Sequence, residues 1–208
     1  MVPSPHVQRS LGASPTLSTV TRQGRALTLR TPRFSDAEDW RRVRLANQEL
    51  IEPFWDHSTL SWSERHTRRV WLRECVSARR RMRRGAGLHT VIDVDRQLAG
   101  QCDVWIDRYH GRSELGLWVA AGHSNAGVGS AAVRLVVGHL FDAMSIERVA
   151  APIACGNDAT IRIARRLGFV REGVMRSYMT VGSRRRDHEL WSLTRNDWLG
   201  ASATRDLR

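Results

Sequence analysis

The chain has 208 residues, of which 41% are hydrophobic and 26% are charged, and its formal net charge is +12. This length and composition suit one globular domain with a well-buried core. No apolar run is long enough to cross a bilayer and no apolar segment follows the first Met, so we expect neither a membrane span nor a secretory signal.

The positive charge comes from arginine alone, because the chain contains no lysine. A solvated arginine surface and attraction to a polyanion such as RNA both explain this balance. Three widely separated cysteines argue against a disulfide framework and favour a reducing cytoplasm. Neither these cysteines nor the eight histidines show the spacing of metal ligands, so we expect no metal.

The two ends of the chain lack hydrophobic periodicity. Residues 1–24 are rich in Pro, Ser and Thr, which predicts a flexible tail, although the absence of acidic residues leaves a transit peptide as an alternative. We expect a single domain over residues 25–200 and a short tail over residues 201–208. Alternating residues predict a first strand over residues 25–30, which the Pro at position 32 terminates.

Two helices are predicted in the first half. Ser35 and Glu38 have the spacing of a capping box in front of the first helix. Ser63 is the expected cap of a second helix of about twenty residues, which ends in the arginine run 79–84. Arginines near a helix C-terminus favour the dipole, but this run exceeds that need. A solvated face or a contact with RNA or the ribosome would explain the excess.

The second half predicts a mixed α/β sheet with helices on its faces, because strands come first and then alternate with helices. The first three of these strands should form an antiparallel meander, with the turn Asp95-Arg96 between the first two. The predicted strands are 88–93, 98–106, 112–119, 148–153, 174–181 and 188–193, with helices over 128–143 and 157–167.

A glycine-bearing turn at residues 124–130 lies between a predicted strand and a predicted helix. The first N–H groups of a helix have no intrahelical partner, and the helix dipole places positive charge there. Such a turn binds phosphate or pyrophosphate. The sequence therefore predicts a phosphate-bearing ligand at residues 124–130.

One interpretation of this turn is a dinucleotide fingerprint. Residues 127–132 fit G-x-G-x-x-A, and Glu147 follows about twenty residues later. However, the preceding strand carries Glu114, whereas a strand before a dinucleotide turn is normally buried on both faces. Glu147 also precedes the next strand, whereas the acid that binds ribose belongs at its far end.

In the second interpretation the chain resembles the GNAT superfamily of N-acetyltransferases. Residues 124–129 are similar to its acetyl-CoA loop, (Arg or Gln)-x-x-Gly-x-(Gly or Ala), and depart from it only at Ser124. Residues 113–119 resemble the E-L-G-Y-W strand of the ribosomal-protein acetyltransferases of RimJ/RimL type. Residues 157–169 resemble the N-x-x-S…G-F helix of that group, and residues 186–194 resemble its closing D-H…L-T strand. The resemblance covers residues 26–198.

This resemblance implies a central mixed sheet flanked by helices and acetyl-CoA as co-substrate. Backbone N–H groups of the glycine turn would hold the pyrophosphate. The end of the strand before the turn would pair with the pantetheine arm, where that strand splays from the next one. The cofactor-binding residues that the resemblance implies are Trp118, Val119, Ser124, Asn125, Ala126, Gly127, Val128, Gly129, Ser130 and Asn157.

The candidate catalytic residues are Glu114, Thr160, Tyr178 and His188. Glu114 is the candidate base for the amine, with His188 and His123 as alternatives that titrate near neutrality. By resemblance, Thr160 or Tyr178 would protonate the departing sulfur. Structural roles stay open for several of them: a salt bridge with an arginine for Glu114, a buried hydroxyl for Thr160, and a simple helix N-cap for Asn157.

The acceptor that we expect is the N-terminal α-amine of a protein, such as a ribosomal protein. In the aromatic loop 53–56, Phe54 and Trp55 could wall a slot, and Asp56 or Glu52 could attract an amine. A small-molecule amine is the alternative acceptor, and a non-catalytic RNA- or ribosome-binding module is the alternative outside enzymes. A monomer and a homodimer are both compatible with the sequence.

Overall fold

The computed structural model describes residues 16–203 as one eight-stranded mixed sheet that carries helices on both faces. The strands are β1 (Leu17–Val20), β2 (Ala26–Arg30), β3 (Gly87–Val94), β4 (Gln97–Asp107), β5 (Arg112–Val119), β6 (Arg148–Ala154), β7 (Val170–Val181) and β8 (Arg184–Thr194). The helices are α1 (Ala37–Ala46), α2 (Gln48–Ile51), α3 (Trp62–Arg65), α4 (Arg68–Arg83), α5 (Val128–Ala143), α6 (Asp158–Leu167) and α7 (Arg195–Ala203).

The strand order is β1-β2-β3-β4-β5-β6-β8-β7. Each neighbouring pair is antiparallel except β5 and β6, which are parallel and are joined by α5. The predicted mixed sheet and the antiparallel meander of β3, β4 and β5 are therefore confirmed. A dinucleotide fold needs successive parallel βαβ units, and the described sheet contains a single parallel pair.

Two hydrophobic clusters lie on opposite faces of the sheet. On one face, α5 and α6 bury aliphatic side chains such as Val136, Leu140 and Ile161 against the strands. On the other face, α1 and α4 bury Trp40 and Trp71 against the same strands. The side chains of β5 alternate between these clusters, so this strand serves both.

The expected capping box at Ser35 and Glu38 is wrong. Ser35 lies inside a 3-10 turn over Phe34–Asp36, and α1 begins after Asp36. The Asp36 carboxylate accepts the backbone N–H of Arg33 at 2.8 Å and both terminal nitrogens of Arg30 at 2.8 and 3.0 Å. This charged pair fixes the start of the helix more strongly than a serine hydroxyl would.

The expected cap at Ser63 is also wrong, because the chain forms two helices there. Ser61 caps α3 in a capping box with Glu64, and Thr67 caps α4. The two helices are separated at His66, which has φ −119° and ψ 55°. The His66 ring is hydrogen-bonded through Nδ1 to the Trp62 carbonyl at 2.6 Å, and this contact stabilises the break.

The flexible N-terminal tail is wrong for residues 17–20, because β1 pairs with β2 from Leu17↔Leu29 to Val20↔Ala26. Residues 1–15 lie outside the described residues, as do residues 204–208. Helix α7 enters the predicted C-terminal tail. The boundaries of the domain stay a prediction. None of the helices that the structure describes is long and apolar enough to cross a bilayer.

Candidate active site

The two parallel strands separate halfway along their length. Strand β5 pairs with β6 only from Arg112↔Arg148 to Glu114↔Ala150. Beyond Glu114 it continues beside β4 as far as Val119↔Gly100, while β6 continues beside β8 as far as Ala154. The inner edges of residues 115–119 and 151–154 therefore lack a strand partner, and an extended ligand can pair with them.

The glycine turn lies at the end of this split. Asn125 and Gly127 have φ values of 58° and 76°, in the left-handed region, and α5 begins at Val128. No side chain caps this helix, so the N–H groups of its first turn remain available for an anion. Packing explains why position 129 is a glycine, since a Cβ there would lie 2.8 Å from Ile163 Cδ1. Its predicted approach to the ligand stays a proposal.

Two side-chain contacts fix the segment immediately before the turn to the rest of the fold. Asn47 at the end of α1 accepts the backbone N–H of Ala121 through Oδ1 at 2.7 Å, a contact that the sequence did not reveal. His123 Nδ1 lies 3.0 Å from Arg25 Nη1, and since the guanidinium can only donate, this nitrogen accepts. Burial and Arg25 lower the pKa of His123. The lone pair of this alternative base is therefore already engaged.

Glu114 lies where the split begins. It is half-buried. It shares a face of β5 with Trp118, because side chains alternate along a strand and the two positions differ by four. Burial raises the pKa of the Glu114 carboxyl, and Arg112 partly opposes this rise. Within the described part of the chain, Glu114 forms no ion pair within 4 Å. The salt bridge that the sequence left open is therefore not formed there.

Tyr178 and His188 lie together on the β7–β8 hairpin. Their rings are 5.4 Å apart in an edge-on arrangement. Tyr178 lies in an irregular stretch of β7 between Met175 and Met179. The preceding residue, Ser177, has φ 47°. Burial raises the pKa of the Tyr178 phenol, and the charge of Glu114 adds to the rise. The structure thus brings Tyr178 and His188 into contact and places Tyr178 within the electrostatic influence of Glu114.

His188 is buried, and the environment of its ring defines the tautomer. Its Nδ1 lies 3.1 Å from the Arg186 carbonyl, which can only accept a hydrogen bond. In the neutral ring this nitrogen carries the proton, and Nε2 is left with the lone pair. His188 can therefore accept a hydrogen bond or a proton only through Nε2.

Thr160 and Asn157 lie on the other side of the split, at the start of α6. Asn157 is the N-cap, because its Oδ1 accepts the backbone N–H of Thr160 at 3.2 Å. This leaves the Asn157 amide NH₂ as the group available to a ligand. Thr160 lines a small crevice with Leu117 and Ile163. Since Leu117 faces α5 and Glu114 faces the opposite way, Thr160 and Glu114 lie on different faces of the sheet.

The aromatic loop after α2 reaches across to the β7–β8 hairpin. The Trp55 carbonyl accepts the Gly182 N–H at 2.9 Å, and the His57 N–H donates to Thr180 at 3.0 Å. Asp56 forms an isolated bridge with Val181. This segment and the hairpin together border the side of the sheet on which Glu114 lies, where the sequence predicted the acceptor.

An arginine enclosed by tryptophans lies beside this segment, a feature that the sequence pattern did not predict. The Arg44 side chain is only 1% exposed. Its Cζ lies 4.0 Å from the ring centroid of Trp55, 4.8 Å from that of Trp62 and 4.9 Å from that of Trp118. A signal was present, since Arg44 falls on the apolar face of a helix in a chain with eight tryptophans.

No group of three or more His, Cys, Asp or Glu side chains between residues 16 and 200 is arranged to hold a metal ion. Of the arginine run 79–84, Arg79 stacks on Phe34 with its Cζ 4.3 Å from the ring centroid. One member of the run therefore has a structural contact.

Comparison with known proteins points to one family. A family model described as an acetyltransferase (GNAT) domain matches residues 26–170. Among solved structures, Mycobacterium smegmatis RimJ in complex with CoA-disulfide superposes with a TM-score of 0.83 at 27% identity, covering 91% of this chain and 95% of that one. A RimL ribosomal alpha-N-protein acetyltransferase in complex with coenzyme A, at a TM-score of 0.73 and 19% identity, covers 81% of this chain and 93% of that one and supports the fold alone.

A curated relative is the putative ribosomal N-acetyltransferase YdaF of Bacillus subtilis, which is 28% identical over 115 residues. The match covers 55% of this chain and 63% of that relative, so it spans less than two thirds of the relative's length. The family model, by contrast, covers more than half of this chain, and its range includes the split of β5 and β6 and the glycine turn. The chain belongs to the GNAT acetyltransferase domain family.

Proposed function

We propose that the protein transfers the acetyl group of acetyl-CoA to the N-terminal α-amine of a protein, such as a ribosomal protein, by direct attack in a ternary complex. The observation that carries this proposal is the split between β5 and β6, which starts at a half-buried carboxylate and ends at a helix N-terminus without a cap. The three cysteines of the protein are free, which is compatible with a cytoplasmic location.

The residues along the split suit acetyl-CoA. The backbone N–H groups of residues 125–130 would hold the pyrophosphate at the start of α5. The free backbone edge at Trp118 and Val119 would pair with the amides of the pantetheine arm, and the Asn157 NH₂ would donate to it from the other side. The thioester would then lie toward Glu114, because the split closes there.

The chain's side chains supply the proton movements that amide formation needs. Glu114 takes a proton from the acceptor ammonium, directly or through water, so that the neutral amine attacks the acetyl carbonyl carbon. The new C–N bond replaces the C–S bond, and the departing thiolate receives a proton from Tyr178. The attacking nitrogen, which still carries one surplus proton, passes it to the Tyr178 phenolate, and Glu114 releases its own proton to water. Tyr178 can donate because a phenol is protonated at neutral pH, and burial and Glu114 raise its pKa further.

The chemistry of the base favours an α-amine over a lysine side chain. The reference pKa of an α-amine is about 7.7–8.0, against about 10.4 for lysine. At neutral pH a much larger fraction of the α-amine is already neutral, so a carboxylate of modest basicity suffices. Glu114, whose pKa is raised by burial, provides such a base.

Peptides with a free N-terminal Ala or Ser, incubated with the protein and acetyl-CoA, test the proposal. We expect tandem mass spectra to place the acetyl group on the α-amine. The same peptides with a blocked N-terminus and internal lysines serve as controls and should react far more slowly. Acetylation of lysine side chains, or turnover of small polyamines alone, would contradict the proposed acceptor and favour a different amine.

A further inference from the structure

The Arg44 guanidinium is buried without a hydrogen-bond partner for its edge. Its Nε and Nη1 atoms are fully buried and form no hydrogen bond among the described residues. The third guanidinium nitrogen, Nη2, is not among these atoms. Its backbone is fixed, since the Arg44 carbonyl accepts Trp62 Nε1–H at 3.0 Å. A rigid cation is thus held with its N–H edge unused.

The surrounding tryptophans do not satisfy that edge. Aromatic rings attract the face of a guanidinium, but its N–H groups point outward in the guanidinium plane. A buried charge without a hydrogen-bonding counterion is costly. Burial accordingly lowers the pKa of Arg44 to about 9, while Glu74 and Asp103 oppose this shift from beyond ion-pair distance. Among the described residues, no carboxylate lies within 4 Å of the guanidinium, so the cation has no counterion in contact.

The position of Arg44 relates this edge to the reacting groups. Trp118, which stacks on Arg44, shares a face of β5 with Glu114. Trp55, which stacks on the same guanidinium, belongs to the segment that is joined to the β7–β8 hairpin. This segment meets β7 at Val181, which lies three residues after Tyr178. Arg44 therefore lies on the face of the sheet that carries Glu114, opposite to α5 and α6.

We propose that Arg44 is a specificity-determining residue that binds a carboxylate of the acceptor. A carboxylate is planar and matches the guanidinium fork with two parallel hydrogen bonds. In a peptide acceptor this group is an Asp or Glu side chain close to the reactive N-terminus. The inference rests on the proposed transfer to an amine, but it concerns a separate group of the acceptor.

Binding of a carboxylate that has no amine tests the subsite without catalysis. The probe is succinate, titrated against the protein with coenzyme A present, at constant ionic strength set with chloride. Tryptophan fluorescence is the readout, because three rings contact Arg44. We expect succinate to bind, and Arg44→Gln to weaken its binding by about tenfold to hundredfold. No binding, or equal binding to both proteins, would overturn the inference.

A neighbouring arginine provides the matched control. Arg65 also lies over Trp62, with its Cζ 5.4 Å from the ring centroid, but it is not enclosed by further tryptophans. Arg65→Gln removes a positive charge beside the same ring and should change succinate binding by less than about threefold. An equal loss in both variants would mean general electrostatic attraction and would contradict a specific carboxylate site at Arg44.

Two peptides that differ only in charge extend the test to the reaction. We expect the wild type to acetylate Ala-Asp peptides with a kcat/KM about tenfold or more above that for Ala-Asn peptides. Arg44→Gln should bring this ratio to about one, an effect that a merely structural role would not produce. Unchanged coenzyme A affinity of the variant checks its fold, and Arg44→Lys, which keeps the charge but loses the fork, should give an intermediate ratio.

The outcomes separate the two proposals. If no peptide is acetylated at its α-amine but succinate binding depends on Arg44, the acceptor proposed above is wrong and the carboxylate subsite stands. If both peptides are acetylated equally well by the wild type, the subsite is wrong and the α-amine acceptor stands. Should both Arg44 variants fail to fold, the wild-type peptide ratio and the wild-type succinate titration still decide.

Discussion

The cofactor side and the acceptor side of this site are built from different parts of the chain's chemistry. The cofactor side consists mainly of backbone groups: the first turn of α5 and the unpaired edges of β5 and β6. The acceptor side consists of side chains, with Arg44 enclosed by tryptophans from α3, from β5 and from the loop after α2. The first depends on local conformation, whereas the second depends on tertiary packing.

One hydrogen-bonded group shows what this difference means. Gln101 Oε1 on β4 accepts Trp40 Nε1–H at 2.8 Å and Trp118 Nε1–H at 3.0 Å, which ties α1 to β5. Trp40 and Gln101 are 61 residues apart in sequence. Substitutions on the cofactor side should therefore change affinity for coenzyme A alone, while substitutions on the acceptor side should change turnover or stability.

The largest expected effect is on turnover, at the carboxylate where the two sides meet. Glu114→Gln keeps the shape of the side chain but removes the base, so kcat should fall about hundredfold or more. The dissociation constant for coenzyme A should stay within about twofold, because Glu114 lies at the closed end of the split. Steady-state kinetics and a coenzyme A titration check both values, and wild-type turnover in the variant would return Glu114 to a structural role.

The pH dependence of the reaction provides a second test of Glu114. The group acts in its deprotonated form, so kcat/KM should rise with pH as its carboxyl loses the proton. Since burial raises this pKa, the acid limb of the profile should lie above the ordinary range of a glutamate. This limb should disappear in Glu114→Gln. A profile identical in both proteins would assign the limb to another group, with His188 as the next candidate.

The next-largest expected effect is on the stability of the fold, and it arises from His66, which lies on the acceptor side. Burial, reinforced by Arg44, lowers the pKa of His66 to about 4 from an ordinary value near 6.5. The unfolded chain therefore binds this proton more readily between the two values. Stability from the neutral His66 is complete above about pH 6.5 and is lost as pH falls toward 4. This loss should reach on the order of 2–3 kcal/mol of unfolding free energy.

Chemical unfolding at pH 7.5 and pH 4.5 measures this loss. His66→Gln, which retains a donor for the Trp62 carbonyl, should lose much less stability between these two pH values than the wild type. The difference between the two proteins isolates His66 from the carboxylates that titrate in the same range. An equal loss in both would show that protonation of His66 does not drive the acid sensitivity.

The same contrast explains what the sequence could predict. The strand before the glycine turn, the start of α5 at Val128 and the N-cap at Asn157 follow from glycine, alternation and capping, which are local signals. The cap at Ser63 failed because His66 breaks the helix through a ring contact that no spacing shows. Arg44 was visible on an apolar helix face, but its tryptophan neighbours come together only in the folded chain.

The smallest expected effect tests whether the cofactor side works through its backbone. Asn125 is exposed and has φ 58°, a conformation that both Asn and Asp tolerate. Asn125→Asp therefore adds a negative charge beside the proposed pyrophosphate site with little change in shape. We expect coenzyme A to bind about fivefold to tenfold more weakly, because the two anions repel each other near the helix N-terminus.

The free protein should respond in the opposite direction. A carboxylate close to the start of α5 interacts favourably with the helix dipole, so the Tm without ligand should stay constant or rise slightly. Asn125→Gly, which keeps the left-handed conformation without the charge, is the matched control and should bind coenzyme A as the wild type does. Weaker binding by the glycine variant would mean that the Asn125 side chain itself contacts the ligand, whereas unchanged binding by Asn125→Asp would place the pyrophosphate away from this turn.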